Sequence, residues 1–119
     1  MNIGVSGKFG EDKAAEYLKD KGYRIIRRNF SCRTGEIDII AEDDMYLVFA
    51  EVKLRKNDRY GEAREFVNTS KQQKIIRTAS LFLSRFETEK QPRFDVIEVY
   101  APKGILSEVK INHLENAFM

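Results

Sequence analysis

The segment from Glu36 to Arg55 constrains this chain more than any other. Two runs of strand-forming residues, Glu36 to Glu42 and Tyr46 to Arg55, flank a turn around Asp43 and Asp44, a pattern that reads as an antiparallel hairpin. Side chains alternate across a strand, so the register decides which of them share a face. With an even number of loop residues, Phe49 lies opposite Asp38 and Glu51 opposite Glu36. One face then carries Glu36, Asp38, Ile40, Leu47, Phe49, Glu51 and Lys53. The other carries Ile37, Ile39, Ala41, Tyr46, Val48, Ala50 and Val52, and reads as a clean core. Asp38 and Glu51 become diagonal neighbours, about 7–8 Å apart at the backbone. Lys53 stands beside Glu51, two residues on.

The elements around this hairpin follow from periodicity and turn chemistry. A helix runs from about Ser6 to Lys21, with Ala14, Ala15, Tyr17 and Leu18 apolar and Gly22 at its end. A strand from Tyr23 to Phe30 and a loop from Ser31 to Gly35 lead into the hairpin. After a polar loop, Thr69 and Gln72 have capping-box spacing and open a long helix to about Phe86, striped by Ile75, Thr78, Ala79, Phe82, Leu83 and Phe86. Strands follow at Phe94 to Tyr100 and Ile105 to Ile111. A helix between the third and fourth strands is a crossover, so those two can run parallel while the first three form a meander. There is no repeat, low-complexity tract or linker, and 119 residues suit one domain spanning 1–119.

Composition narrows the chemistry. With one cysteine, Cys32, no internal disulfide can form, and with one histidine, His113, no site can use two histidines. There is no apolar leader, membrane-length run or Gly-x-x-x-x-Gly-Lys phosphate loop, so a cytoplasmic protein without a membrane partner is expected. The net charge of +2 conceals segregation. Glu36 to Glu51 holds six acids and no base, whereas Lys21 to Arg33 holds five bases and no acid, and Phe66 to Phe86 four bases and no acid. An acidic block between basic ones suits a divalent cation held at the centre of a polyanion grip; a solvated surface with chance clumps is the alternative.

Crowded carboxylates repel unless a cation intervenes, and oxygen ligands without histidine favour Mg²⁺, or Mn²⁺ in its place. Such an ion polarises a phosphoryl group and acidifies a bound water, and a lysine such as Lys53 stabilises the developing charge or orients that water. The bland alternative is a solvent-exposed hairpin face with a Glu51/Lys53 pair. Glu11 lies in phase with the packing face of the first helix, where it reaches the strand-borne site or rims the apolar stripe. Lys71 opens the inward face of the long helix and serves either phosphate or a local acid. Arg28, Arg33, Arg55, Lys56 and Arg59 are candidates for backbone phosphate contacts.

The runs Gly7-Lys8-Phe9-Gly10-Glu11-Asp12, Thr34-Gly35-Glu36-Ile37-Asp38, Phe49-Ala50-Glu51-Val52-Lys53 and Arg93-Phe94-Asp95-Val96 resemble the motifs of the bacterial YraN-like family, and the likeness covers nearly the whole chain. That family is similar to the restriction-endonuclease-like PD-(D/E)xK nucleases, especially archaeal Holliday-junction resolvases. The resemblance implies an α/β fold with an αβββαβ core, a mixed central sheet flanked by helices. It implies metal ligation by Asp38, Glu51 and the Val52 carbonyl, a catalytic role for Lys53 and an accessory acid in Glu11. Ile37 stands where proline is usual before the aspartate, and Ala50 where valine is commoner before the glutamate. The expected activity is Mg²⁺-dependent hydrolysis of phosphodiester bonds in DNA, branched or structured DNA included. The alternative is a non-catalytic nucleic-acid-binding or assembly module that keeps the fold. A homodimer is a further expectation from the resemblance, with no residue that identifies an interface.

Overall fold

A computed structural model of the chain describes residues 3–55, 68–101 and 108–118, with side chains from residue 7 onward. The elements are α1 (Ile3–Asp20), β1 (Arg24–Cys32), β2 (Gly35–Glu42), β3 (Tyr46–Arg55), α2 (Thr69–Leu83), β4 (Gln91–Tyr100) and β5 (Lys110–Leu114). The strands form one mixed sheet in the order β1-β2-β3-β4-β5. Only β3 and β4 run parallel, joined through the α2 crossover; every other neighbouring pair is antiparallel.

Each helix covers one face of the sheet. Ala14, Ala15 and Leu18 of α1 pack on Ile39, Ala41, Val48, Ala50, Ile97 and Val99. Ile75, Ala79 and Phe82 of α2 pack on Phe30, Ile37, Ile40, Leu47, Phe49, Phe94 and Val96. Both faces of the hairpin are therefore core, where the alternation alone marked one. Phe118 closes the α2 layer from the C-terminal end, 5.4 Å from the Phe94 ring, with the Ala117 N–H donating to the Phe94 carbonyl at 2.7 Å. Among the described residues no helix is long and apolar enough to cross a membrane.

Several details differ from the sequence reading. β1 runs on to Cys32, through part of the expected loop. Asn68, not Thr69, caps α2: its side chain accepts the Lys71 N–H at 2.8 Å, satisfying a donor that the first turn leaves open. α2 ends at Leu83, and Phe86 beyond it stacks on Phe82 at 5.0 Å. β4 begins at Gln91 and includes Pro92. That stretch lies outside the Val96 to Tyr100 span paired with β5, so the missing proline N–H costs no ladder bond there. The last strand is centred later than expected, and residues 105–107 of the predicted segment lie outside the described residues.

The hairpin register is shifted by two residues. Ile40 pairs with Phe49 and Glu42 with Leu47, which keeps the sorting of the two faces but slides the strands. Ile37 departs from strict alternation and joins the α2 cluster with its ladder partner Phe30. Phe30 follows Asn29, whose φ of +54° turns the alternation of β1 over at that point.

Candidate functional site

The pairing of β2 with β3 stops at Ile39–Ala50. Beyond it β2 continues against β1 alone, and β3 continues to Arg55 against β4 alone. Asp38 and Glu51 are the next residues in register, and they stand at this fork. Asp38 Oδ2 accepts the Val52 N–H at 2.8 Å, so a carboxylate occupies the place that a strand carbonyl would otherwise take.

Two clefts meet at the fork. One, of about 400 Å³, is lined on the α1 side by Gly7, Lys8, Gly10, Glu11 and Asn29. The other, of about 610 Å³, is lined on the α2 side by Asn68, Ser70, Lys71, Lys74 and Glu51. Glu36, Asp38 and Val52 line both. α1 passes close to β3 at Gly10, where a methyl group would sit in ordinary contact with the Leu54 side chain at 3.4 Å.

The electrostatics of the fork are set by crowded acids. Burial, the charge of Glu51, and the nearby Glu11 and Glu36 raise the Asp38 pKa to about 7, against the opposing pull of the Val52 N–H. Glu51 is buried, and its Oε2 lies 2.8 Å from Lys71 Nζ and 3.5 Å from Lys53 Nζ. Burial pulls the Lys71 pKa down, but Glu51 first, then Asp38 and Glu36, raise it overall, so Lys71 remains a cation. The nearer lysine to Glu51 thus comes from the helix, not from the strand motif. The contacts of the two carboxylates among the described residues run through Asp38 Oδ2 and Glu51 Oε2.

Glu11 reaches the fork rather than only rimming the α1 stripe. Its Oε1 accepts from Arg28 Nε at 3.0 Å, Arg28 Nη2 at 2.7 Å and Asn29 Nδ2 at 3.0 Å. Arg28 also donates to Asp12 at 2.6 Å, so this expected phosphate contact is engaged with two carboxylates of α1. Arg55 Nε lies 3.5 Å from Glu98 Oε2. Arg33 is exposed on the β1–β2 turn, while Lys56 and Arg59 lie outside the described residues.

Sequence reasoning missed two contributors. Lys74 follows Lys71 by three residues in an acid-free helix, a spacing that marks one stripe. Asn29, a residue type that tolerates the left-handed conformation, was readable as a place where a strand turns over. The Arg28–Glu11 pair had no signal in the sequence, because its partners are 17 residues apart on different elements.

Among the described residues there is no group of three or more His, Cys, Asp and Glu side chains able to hold a metal. The donor set at the fork is therefore two carboxylates with adjoining backbone. It fits Mg²⁺, which keeps several waters and is commonly bound through one or two carboxylates, and does not fit an all-protein cage. The elevated proton affinity of Asp38 comes first from burial and then from the charge of Glu51, which a bound cation would offset.

The family model described as uncharacterised protein family UPF0102 matches residues 10–99. A UPF0102 protein of Caldanaerobacter subterraneus subsp. tengcongensis is 45% identical over 119 residues, covering 99% of this chain and 98% of the relative. One from Symbiobacterium thermophilum is 49% identical over 114 residues, covering 94% of each. Another, from Persephonella marina, is 44% identical over 115 residues, covering 96% of this chain and 93% of the relative.

Proposed function

We propose that this chain, which belongs to the uncharacterised protein family UPF0102, is a Mg²⁺- or Mn²⁺-dependent nuclease of the restriction-endonuclease-like PD-(D/E)xK type. Its substrate is DNA, branched or otherwise structured DNA included. The observation that carries the reading is the fork itself. Asp38 and Glu51 meet where the β2–β3 ladder ends, in an open cleft with Lys53 and Lys71 at hand.

Asp38, Glu51 and the Val52 carbonyl would hold the ion. When bound, the ion supplies Lewis-acid polarisation of a phosphoryl oxygen and a more acidic water. The remaining work belongs to the chain. The Val52 N–H fixes the Asp38 carboxylate in one orientation. Lys71 and Lys53 pair with Glu51 Oε2 and offer positive charge to a phosphate at the fork. Arg28 and Asn29 hold Glu11 at the opposite side of Asp38, as an acid able to orient water.

The test compares wild type with Lys53→Ala on linear, single-stranded and four-way-junction DNA with Mg²⁺ or Mn²⁺. Metal-dependent cleavage that falls at least about tenfold in the variant is expected, since one such charge is worth several kcal/mol in a transition state. Cleavage unchanged by the substitution overturns the mechanism.

One observation favours a second reading, a binding or assembly module without catalysis. Glu51 already has two lysine partners, so its charge is balanced without a metal. Calorimetric titration separates the two readings. The nuclease reading requires Mg²⁺ or Mn²⁺ binding that Asp38→Asn abolishes, and the module reading requires none.

A further inference from the structure

The two clefts that share Glu36 and Asp38 differ in the cations that line them: Lys8 on the α1 side, and Lys71 and Lys74 on the α2 side, where Glu51 is the further acid. On the α1 side, Glu11, Glu36 and Asp38 face a single lining cation, Lys8, which itself lies 3.6 Å from Asp12. Arg28 is paired with both Glu11 and Asp12. On the α2 side, Lys71 and Lys74 line the wider cleft, and α2 contains no acid from Thr69 to Leu83. Lys74 and Arg77 are both exposed, three residues apart, and so are neighbours on the helix surface.

The β1–β2 turn extends this basic surface. Thr34 Oγ1 and Thr78 Oγ1 lie 2.8 Å apart, and the Thr78 hydroxyl donates to the Lys74 carbonyl. A methyl group on Gly35, whose φ is +148°, would lie 3.2 Å from Thr78 Oγ1 and 3.6 Å from Lys74 Cβ. The turn is therefore seated on α2 at Lys74 and Thr78, and it carries the exposed Arg33. Lys74 and Gly35 line the cleft that holds Glu51, and the exposed Arg77 and Arg33 lie on the same two elements, α2 and the β1–β2 turn.

We propose that Lys74, Arg77 and Arg33 form the track for the DNA backbone flanking the fork, so that the polyanion lies along the α2 side of Asp38 and not along the α1 side. The track rests on the reading of the fork as a phosphodiester site. Contacts of this kind hold phosphates without reading sequence, and each adds to the salt dependence of binding. The acidic α1-side cleft repels phosphate and stays available to water near Glu11.

The experiment measures binding of a fluorescein-labelled duplex and a labelled four-way junction by anisotropy, in EDTA, across a salt series. The variants are Lys74→Glu, Arg77→Glu and Arg33→Glu, with Lys8→Glu as an equal charge reversal at the opposite cleft. Each track variant is expected to weaken binding about three- to tenfold and to lower the salt slope by about one, whereas Lys8→Glu changes affinity by less than about twofold. All four side chains are exposed, and unchanged thermal melting confirms that each variant folds.

Equal weakening by Lys8→Glu, no weakening by the track variants, or no binding of either DNA by wild type each overturns the proposal. Binding that follows the track without any metal-dependent cleavage leaves the track standing and removes the nuclease reading. Cleavage that persists with unaltered binding in the track variants does the reverse.

Discussion

Asp38 and Asp95 flank the same strand and have opposite fates. Asp95, on β4 opposite Ala50, is completely buried, yet its pKa lies below the ordinary carboxylate value. Burial pushes it up, but His113, Arg93 and the Asn116 N–H more than offset that. Arg93 grips both carboxylate oxygens at 2.9 and 2.8 Å, and Oδ2 also accepts from His113 Nε2 at 2.7 Å. Arg93 is anchored in turn by the Tyr23 hydroxyl at 2.7 Å, and His113 Nδ1 meets the Tyr17 hydroxyl at 3.0 Å. Asp38 meets acids more than partners: burial first, then Glu51, Glu11 and Glu36, raise its pKa to about 7 against one backbone N–H. Burial pushes both carboxylates up, and the partners each one meets decide whether it ends below or above its ordinary value.

The largest expected effect breaks the Asp95 side. Asp95→Ala leaves Arg93 buried without its carboxylate and strands the Asn116 N–H, and should cost about 3–5 kcal/mol of stability in urea unfolding. A loss below about 1 kcal/mol would mean that the network is solvated and the contrast false.

The next effect sharpens the Asp38 side through pH. Because the folded pKa of Asp38 is raised to about 7, the folded state holds its proton longer than the unfolded chain. Its contribution therefore falls as pH rises from about 4, its unfolded value, through about 7. Relative to Asp38→Asn, wild type should lose on the order of a few kcal/mol across that window, with no such difference below pH ~4. Asp95, with its lowered pKa, acts in the opposite sense: its stabilisation is present above its unfolded value and is lost as pH falls through the folded one.

A smaller effect links the same site to metal. Mg²⁺ at ten times its dissociation constant should stabilise wild type by about 1.4 kcal/mol in thermal melting. Asp38→Asn should show no gain, while Asp95→Asn, if folded, should keep it. The smallest effect concerns Lys71, which is partly exposed. Lys71→Met should cost only about 0.2–1 kcal/mol in urea unfolding, as expected for an ion pair open to solvent. A loss of several kcal/mol would make the α2 lysine a structural partner like Arg93.

Much of the fold was legible because its elements are locally consistent. Tyr46 to Arg55 is bounded by turn residues and rich in β-branched and aromatic side chains, and it is a strand with those bounds. The stripe Ile75, Thr78, Ala79 and Phe82 is the buried face of α2. The sorting of Ile40, Leu47 and Phe49 from Ile39, Ala41, Val48 and Ala50 survived the two-residue shift, because alternation depends only on parity. The shift itself was invisible. The observed register goes with a tight turn in which the Asp43 N–H donates to the Tyr46 carbonyl at 3.1 Å and Asp43 Oδ1 accepts the Met45 and Tyr46 N–H groups.

The sequence by itself determined the succession of helices and strands, the parallel pairing permitted by one crossover, and the small set of carboxylates and lysines from which any chemistry must come. Those properties depend on neighbours in the chain, through periodicity, turn residues and composition. The tertiary structure alone decided that the β2–β3 ladder stops at Ile39–Ala50, that Lys71 lies closer than Lys53 to Glu51, and that Arg28 closes on Glu11 while Lys74 borders the cleft. These are meetings between residues distant in sequence. Their outcome is set by how two helices pack on opposite faces of one sheet and where charge can then be neutralised.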